Sequence, residues 1–294
     1  MRRLVIRAAA IGAGAIAFVA GCASPGLPPG GPDDRAAPAL VGLSPDSGAV
    51  NVPRNRTAVF QFDEVVAERP QGGATLADLV LVSPETGAPR VSWRRSAIAV
   101  RARGDWRPNT VYTVTLLPGV ADLRGNVVRE RSEIIFSTGG TIPDTRIDGV
   151  VFDWVPGRPA AAARVEAIAP DSTTFVTVAD SSGRFTLQHL PPSRYTVRAF
   201  VDANRNRVLD GREIWDSASV TLADTARAEL YAFAHDTIGP RVTTVEVRDS
   251  ITLRVSFDRA IDPGQSIDTS LFALTAQDST RVPIVAARSA RDYE

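Results

Sequence analysis

The sequence predicts an all-β protein, a series of tandem β-sandwiches behind an apolar N-terminal segment and a flexible tether. Three observations carry this expectation. Apolar and polar residues alternate in short runs such as "TAVFQFDEVV", where Val59 and Gln61 oppose Phe60 and Phe62. Such runs recur roughly every ten residues, separated by Gly, Pro, Asp and Asn turn signals. Beyond the N-terminus no segment keeps a helical apolar period for more than about two turns.

Composition narrows the function. The 294 residues leave room for several domains, and 33 basic residues balance 33 acidic ones. A nucleic-acid partner would want a net basic face, so none is expected. Every basic residue is arginine, which removes lysine Schiff-base chemistry and any lysine isopeptide cross-link. A single cysteine, Cys22, allows no intrachain disulfide, and the two histidines, His189 and His235, lie far apart. A histidine-rich metal site and a Cys–His nucleophile pair are both unexpected.

Residues 1–21 read as a targeting segment. Arg2, Arg3 and Arg7 form a positive start, and "AAAIGAGAIAFVAGC" follows. That stretch is too short and too rich in Gly and Ala for a membrane span. Its end, "VAGC", resembles a bacterial lipobox, which implies diacylglycerol on Cys22. Acylation adds about 0.8 kcal/mol per buried methylene, so several chains anchor stably. Ala23 follows the cysteine, and by analogy with proteobacterial sorting this implies the outer membrane, on its periplasmic or its surface side. Residues 22–38, rich in Pro, Gly and Ala, cannot bury a core and read as a tether.

Residues 39–140 hold the first run of strands. "LSPDSGAVNVPRNRTAVFQFDEVV", "WRPNTVYTVTLLPGVADLRGNVV" and "IIFSTG" appear in the order found in bacterial SbsA-type Ig-like domains, which this region resembles. The resemblance implies that Asn109, Thr110 and Tyr112 lead a strand and that Asp122 to Asn126 form a turn. It implies a spacer or binding module and no catalytic residue.

Residues 146–235 hold the second unit. Asp180, Gly183, Phe185, Leu187, Leu190, Pro191, Pro192 and Tyr195 fall in the pattern of a turn, a strand, a Leu-Pro-Pro break and a new strand. This resembles the carboxypeptidase-regulatory or collagen-adhesin B-type domain, a prealbumin-like sandwich, with Ser193 where a glycine is usual. Residues 238–294 open a third unit. Its "ITLRVSFDRAID" parallels "TAVFQFDEVVA", with Phe62-Asp63 matched by Phe257-Asp258. The unit reads as a second Ig-like domain, expected to be truncated, because nothing matches the "NTVYTVTL…GN" half of the first.

The one candidate for chemistry is "DANRNRVLDGRE". Asp202, Asn204, Asn206, Val208, Asp210 and Glu213 occupy the ligand positions of an EF-hand-type calcium loop, with Val208 offering its carbonyl. Such loops turn sharply at the sixth position, usually on glycine, and here it is Arg207. Strands rather than helices flank the run, so it is not an EF-hand. Similar loops in B-type repeats imply a structural Ca2+. The other reading, a polar hairpin whose Asn and Asp side chains bond their own backbone, stands beside it.

Other candidates read as scaffold. Trp93, Trp106, Trp154 and Trp215 could stack sugars but fit core or interface positions. Asp63 and Asp258 end strands, His189 sits beside a proline pair, and Ser47 and Ser182 lack a nucleophile frame. No catalytic or cofactor-binding residue is expected beyond the calcium candidates. The expected function is a non-catalytic, lipid-anchored envelope or surface protein, a spacer or adhesion module with a protein or glycan partner. The alternative is a carbohydrate-binding accessory lipoprotein.

Overall fold

The computed structural model describes residues 34–70, 73–235, 239–261 and 264–289. Cys22, the targeting segment and most of the tether lie outside these residues. The described residues form strands and short 3-10 turns, and none of their helices is long and apolar enough to cross a membrane.

The first sandwich uses β1 (Leu40–Ser44), β2 (Ala58–Phe62), β3 (Val80–Ser83), β4 (Arg90–Trp93), β5 (Ala97–Arg101), β6 (Val111–Leu116) and β7 (Ser132–Ser137). One sheet runs β1-β2-β5-β4 and the other β3-β6-β7. The alternation in "AVFQF" behaves as expected. Ala58, Phe60 and Phe62 point into the core, and Val59 and Gln61 are less buried. Trp106, Tyr112 and Phe136 form the aromatic centre between the sheets. Asn109 takes a positive φ of 48° in the turn before β6, so the strand begins at Val111 rather than at Asn109.

The second sandwich uses β8 (Arg146–Asp153), β9 (Arg158–Pro159), β10 (Arg164–Ile168), β11 (Thr174–Val178), β12 (Arg184–Gln188), β13 (Ser193–Phe200), β14 (Ile214–Leu222) and β15 (Thr225–Ala234). Hydrogen bonding runs continuously in the order β11-β10-β13-β14-β15-β8-β12, with β9 beside β8. β14 and β15 pair only through Ile214–Ala234 and Trp215–Phe233, which joins the two layers at a corner. β15 and β8 run parallel, with Tyr231 opposite Phe152. Phe185, Leu187, Leu190 and Tyr195 enter the core together, as the Leu-Pro-Pro pattern implies. Burial, with the Asp171 carboxylate adding to it, pushes the Tyr195 phenol up to about 12. Its hydroxyl donates to the Pro191 carbonyl at 2.7 Å.

Gly149 sits on β8 between Phe185 of β12 and Ala228 of β15. A Cβ there would overlap the Ala228 carbonyl oxygen and the Phe185 ring. The ring occupies the space a side chain would take. Gly149→Ala should therefore cost about 2–3 kcal/mol, read as a lower urea midpoint at unchanged slope.

Two short hairpins follow among the described residues of 239–261 and 264–289. β16 (Val242–Val247) pairs with β17 (Leu253–Phe257), and β18 (Leu274–Thr275) with β19 (Arg281–Val282). Both ends of the Phe-Asp repeat have the same local structure. The Asp63 carboxylate accepts from Ala39 N at 2.8 Å, and the Asp258 carboxylate from Arg241 N at 2.9 Å. Each aspartate amide also donates back to that partner residue's carbonyl. The motif is a clasp on the preceding strand, which explains why an acid follows the phenylalanine in each copy.

Candidate functional site

The sequence-predicted loop folds as a closed polar turn between β13 and β14. Asp202 Oδ1 accepts from Asn206 N at 3.0 Å, and Asp202 Oδ2 from Arg207 N at 2.8 Å. Asn204 and Asn206 accept in turn from Asn206 N and Val208 N. Glu213 is buried at the base and binds Ala203 N and Asp210 N, one with each oxygen. Arg207 takes φ 64° and Arg205 φ 60°, so the sharp turn at the sixth position forms without glycine.

The loop gathers its oxygens, but two ligand candidates present nitrogen. Asn204 Nδ2 and Asn206 Nδ2 both donate to Asp210 Oδ2, at 2.5 and 3.0 Å. Calcium takes only oxygen, so both amides would have to turn, and each would lose the bond it accepts from the backbone N–H two residues on, Asn206 N for Asn204 and Val208 N for Asn206. Asp202, Asp210, Glu213 and the Val208 carbonyl fit a hard cation by chemistry. Asn204 and Asn206 fit it only after this rearrangement. These hydrogen bonds are the kind a polar turn makes with its own backbone and amides.

Arg207 does something the sequence did not reveal. Its guanidinium crosses to the first sandwich and donates to the carbonyls of Ala77 and Asp78, at 2.8 and 3.0 Å. Those carbonyls end a 3-10 turn, Leu76–Leu79, whose Asp78 carboxylate reaches back to Thr75 N and Oγ1. The Thr75 hydrogen bonds hold the Asp78 carboxyl below its usual range. Burial pulls the Arg207 guanidinium down from its ordinary value and nearby Arg164 adds to this, while Asp78, Glu85 and Asp202 oppose it.

A second junction lies beside the loop. The outward face of β10 and β13 carries Arg164, Glu166, Arg198 and Phe200, alternating with core residues Val165, Ala167, Val197 and Ala199. Strand register places Glu166 opposite Arg198 and Arg164 opposite Phe200. Arg164 is 3% exposed, Glu166 4% and Phe200 fully buried, so this face is covered rather than solvated. The cover is the end of β3. Arg164 reaches Glu85 Oε1 at 2.5 Å and Glu166 Oε1 at 2.9 Å, and Arg198 takes Glu166 Oε2 at 2.5 Å. Backbone bonds complete the contact, from Glu85 N to the Thr174 carbonyl and from Val176 N to Ser83 Oγ. Two arginines and two glutamates thus alternate across the junction, and the partly exposed Glu85 and Arg198 at its ends balance the buried Arg164 and Glu166.

The remaining candidates separate clearly. Trp106 is core. Trp93 is partly exposed, with its indole N–H on the Val66 carbonyl. Trp154 and Trp215 lie half-buried on the outer side of the second sandwich. His189 has φ 62° and is held by the Thr145 and Pro143 carbonyls, a structural role. Ser182 bonds Asp180 within its turn. The Asp122–Asn126 turn forms as implied, with Asp122 accepting from Arg124 N and from Asn126 N and Nδ2.

Comparison with known proteins agrees with this architecture. Residues 34–138 match the family described as bacterial Ig-like domain, and residues 146–230 match the carboxypeptidase regulatory-like domain. The chain thus carries a bacterial Ig-like domain followed by a carboxypeptidase regulatory-like domain, both built as β-sandwiches. No curated protein matches the chain.

Among solved structures, an L,D-transpeptidase from Mycobacterium smegmatis is similar at 13% identity, covering 67% of this chain and 76% of that one, with a TM-score of 0.25. BcpA, the major pilin subunit of Bacillus cereus, is similar at 7% identity, covering 64% and 67%, with a TM-score of 0.24. The N-terminal part of the bacterial S-layer protein SbsC is similar at 13% identity, covering 61% and 43%, with a TM-score of 0.24. At scores this low the likenesses say nothing about what this chain does.

Proposed function

We propose that this chain is a non-catalytic, lipid-anchored protein of the bacterial envelope, in which two docked β-sandwiches serve as a stiff spacer or binding module. The observation that carries the reading is the Glu85–Arg164–Glu166–Arg198 network, with Arg164 and Glu166 buried at its centre, joined by the Arg207 clamp. A flexible string of domains has no use for buried charge at its joints, whereas a fixed spacer does. The matched modules are of a kind usually without catalysis, which supports the same view. The anchor would be Cys22 and the tether residues 22–38. In fractionated cells the wild-type protein should pellet with outer membranes, and Cys22→Ala should leave the membrane fraction. A variant that still pellets would contradict the anchoring.

The loop adds a calcium proposal. Asp202, Asp210, Glu213, the Val208 carbonyl and the turned amides of Asn204 and Asn206 would hold a Ca2+ ion of modest affinity. The ion would stiffen the loop that carries Arg207. Binding to the folded state alone raises stability by about 2.7 kcal/mol at a hundredfold excess over Kd. Millimolar calcium should therefore raise the melting temperature over that in EGTA, and Asp202→Ala should abolish the difference. Superimposable curves would leave the loop a polar turn.

A further inference from the structure

The outer face of the sheet β1-β2-β5-β4 carries charge that neither the core nor the junction uses. Ala58 and Phe60 of β2 and Ile98 and Val100 of β5 enter the core, so the residues between them point outward. Strand register sets Ser44, Val59, Ala99 and Ser92 in one row across all four strands. Gly42, Gln61 and Ala97 form the next row, with the Gln61 amide folded down onto Ser96. The floor of this face is therefore low, and arginines stand round it. Arg90 of β4 lies directly opposite Arg101 of β5. Arg56, just before β2, donates to Ser44 Oγ at 2.9 Å. Arg94, just after β4, lines one open hollow with Arg56, Ser44 and Val59. All four arginines are exposed.

The charge is one-sided. The strands read LVGLS, AVFQF, RVSW and AIAVR, with no acidic residue. Among the described residues none of the four arginines makes an ion pair. Elsewhere strand arginines meet carboxylates, as in Arg146–Asp148 at 2.9 Å and Arg158–Asp153 at 3.3 Å. Like charges directly opposite on neighbouring strands cost stability, and Arg90 and Arg101 stand so with no carboxylate between them. The whole chain balances 33 basic against 33 acidic residues, so the excess belongs to this face. An anion held against the face removes the repulsion.

The place of the face in the chain says which anion. β1 is the first strand, and the tether, residues 22–38, runs into it. A flexible segment of that length has a root-mean-square reach of about 20–25 Å. With lipid on Cys22, this sheet stays within that distance of the headgroups. Four strands span three interstrand spacings, about 14 Å. A single free phosphate could meet only the Arg56–Arg94 hollow, whereas a surface of headgroups meets all four arginines.

We propose that this face docks the first sandwich on an anionic phospholipid bilayer, with the guanidiniums of Arg56, Arg90, Arg94 and Arg101 on headgroup phosphates. The sandwich so docked is the base from which the second is held out. Nearness to the bilayer rests on the Cys22 anchor proposed above; the charge of the face does not, and it is tested without the anchor.

The chain from Ala23 onward keeps every described residue and lacks Cys22, so its binding is independent of acylation. At low salt it should sediment with vesicles of equal parts phosphatidylglycerol and phosphatidylcholine, and not with phosphatidylcholine alone. It should be released in about 0.5 M NaCl, where the Debye length is about 4 Å. Arg90→Gln with Arg101→Gln, and Arg56→Gln with Arg94→Gln, should each weaken binding about tenfold or more. Arg194→Gln with Arg227→Gln removes the same charge from the second sandwich and should bind as wild type. Arg90→Gln alone should melt at or above the wild-type temperature, since it separates like charges. A clearly lower melting temperature would mean that Arg90 serves the fold and would overturn the proposal. So would failure to bind the anionic vesicles, or an equal loss in the Arg194 and Arg227 control. Retention on heparin without vesicle binding would overturn it in favour of an acidic polymer. Release of Cys22→Ala from cell membranes, by contrast, reports on the anchor alone.

Discussion

Trp106→Ala should destabilise the first sandwich by about 4 kcal/mol, the largest loss expected of any single substitution in it. Two contributions add at this residue. Its indole packs on Tyr112 at 4.7 Å and edge-on to Phe136 at 5.3 Å, and these two rings stack on each other at 5.7 Å. Its indole N–H donates to the Arg56 carbonyl at 2.7 Å. Alanine would leave a cavity and an unpaired carbonyl where no water enters easily. Trp106→Phe keeps most of the volume and loses the N–H, so it should cost less than half as much. Equal losses in the two variants, measured by urea unfolding, would show that the hydrogen bond and not the packing dominates.

Arg164→Ala should cost about 3 kcal/mol, the usual penalty for removing one partner from a buried ion pair. Its effect should reach beyond the sandwich that contains it. Arg164 is the one guanidinium shared between Glu85 of the first sandwich and Glu166 of the second. Without it Glu166 keeps Arg198, but the side-chain ion link to Glu85 is gone. Two unfolding transitions should replace a single cooperative one in differential scanning calorimetry. Glu85→Gln is the control. Glu85 is far more exposed than Arg164, so its loss should cost about 1 kcal/mol or less. A fully cooperative transition in Arg164→Ala would mean that the junction is held by other contacts.

The strands were legible in the sequence because their apolar period is two, and the turns because Gly, Asp and Pro mark them. "AVFQF" and "RFTLQ" show this directly. The order of the strands was not legible. Nothing in the residues announces that β15 runs parallel to β8, and this pairing alone brings Phe152 and Trp154 beside Tyr231 and Phe233. The junction was hidden for a different reason. Arg164, Glu166 and Arg198 occupy outward positions on their strands, and outward charge ordinarily means solvent. Only the neighbouring sandwich turns that face into an interior. Arg207 shows both limits in one residue. Its backbone turn follows from the loop's spacing, while the destination of its side chain, the Ala77 and Asp78 carbonyls, belongs to another domain.

The central claim is that the two sandwiches are held in one fixed arrangement. From Ala23 onward the chain contains no cysteine, so Arg103→Cys and Thr221→Cys would place two unique spin labels on exposed sites, one on each sandwich. Pulsed electron-electron resonance should give one narrow distance distribution, and adding Arg164→Ala should broaden it. A broad or multiple distribution in the otherwise wild-type protein, unchanged by Arg164→Ala, would contradict the fixed junction and the spacer function built on it.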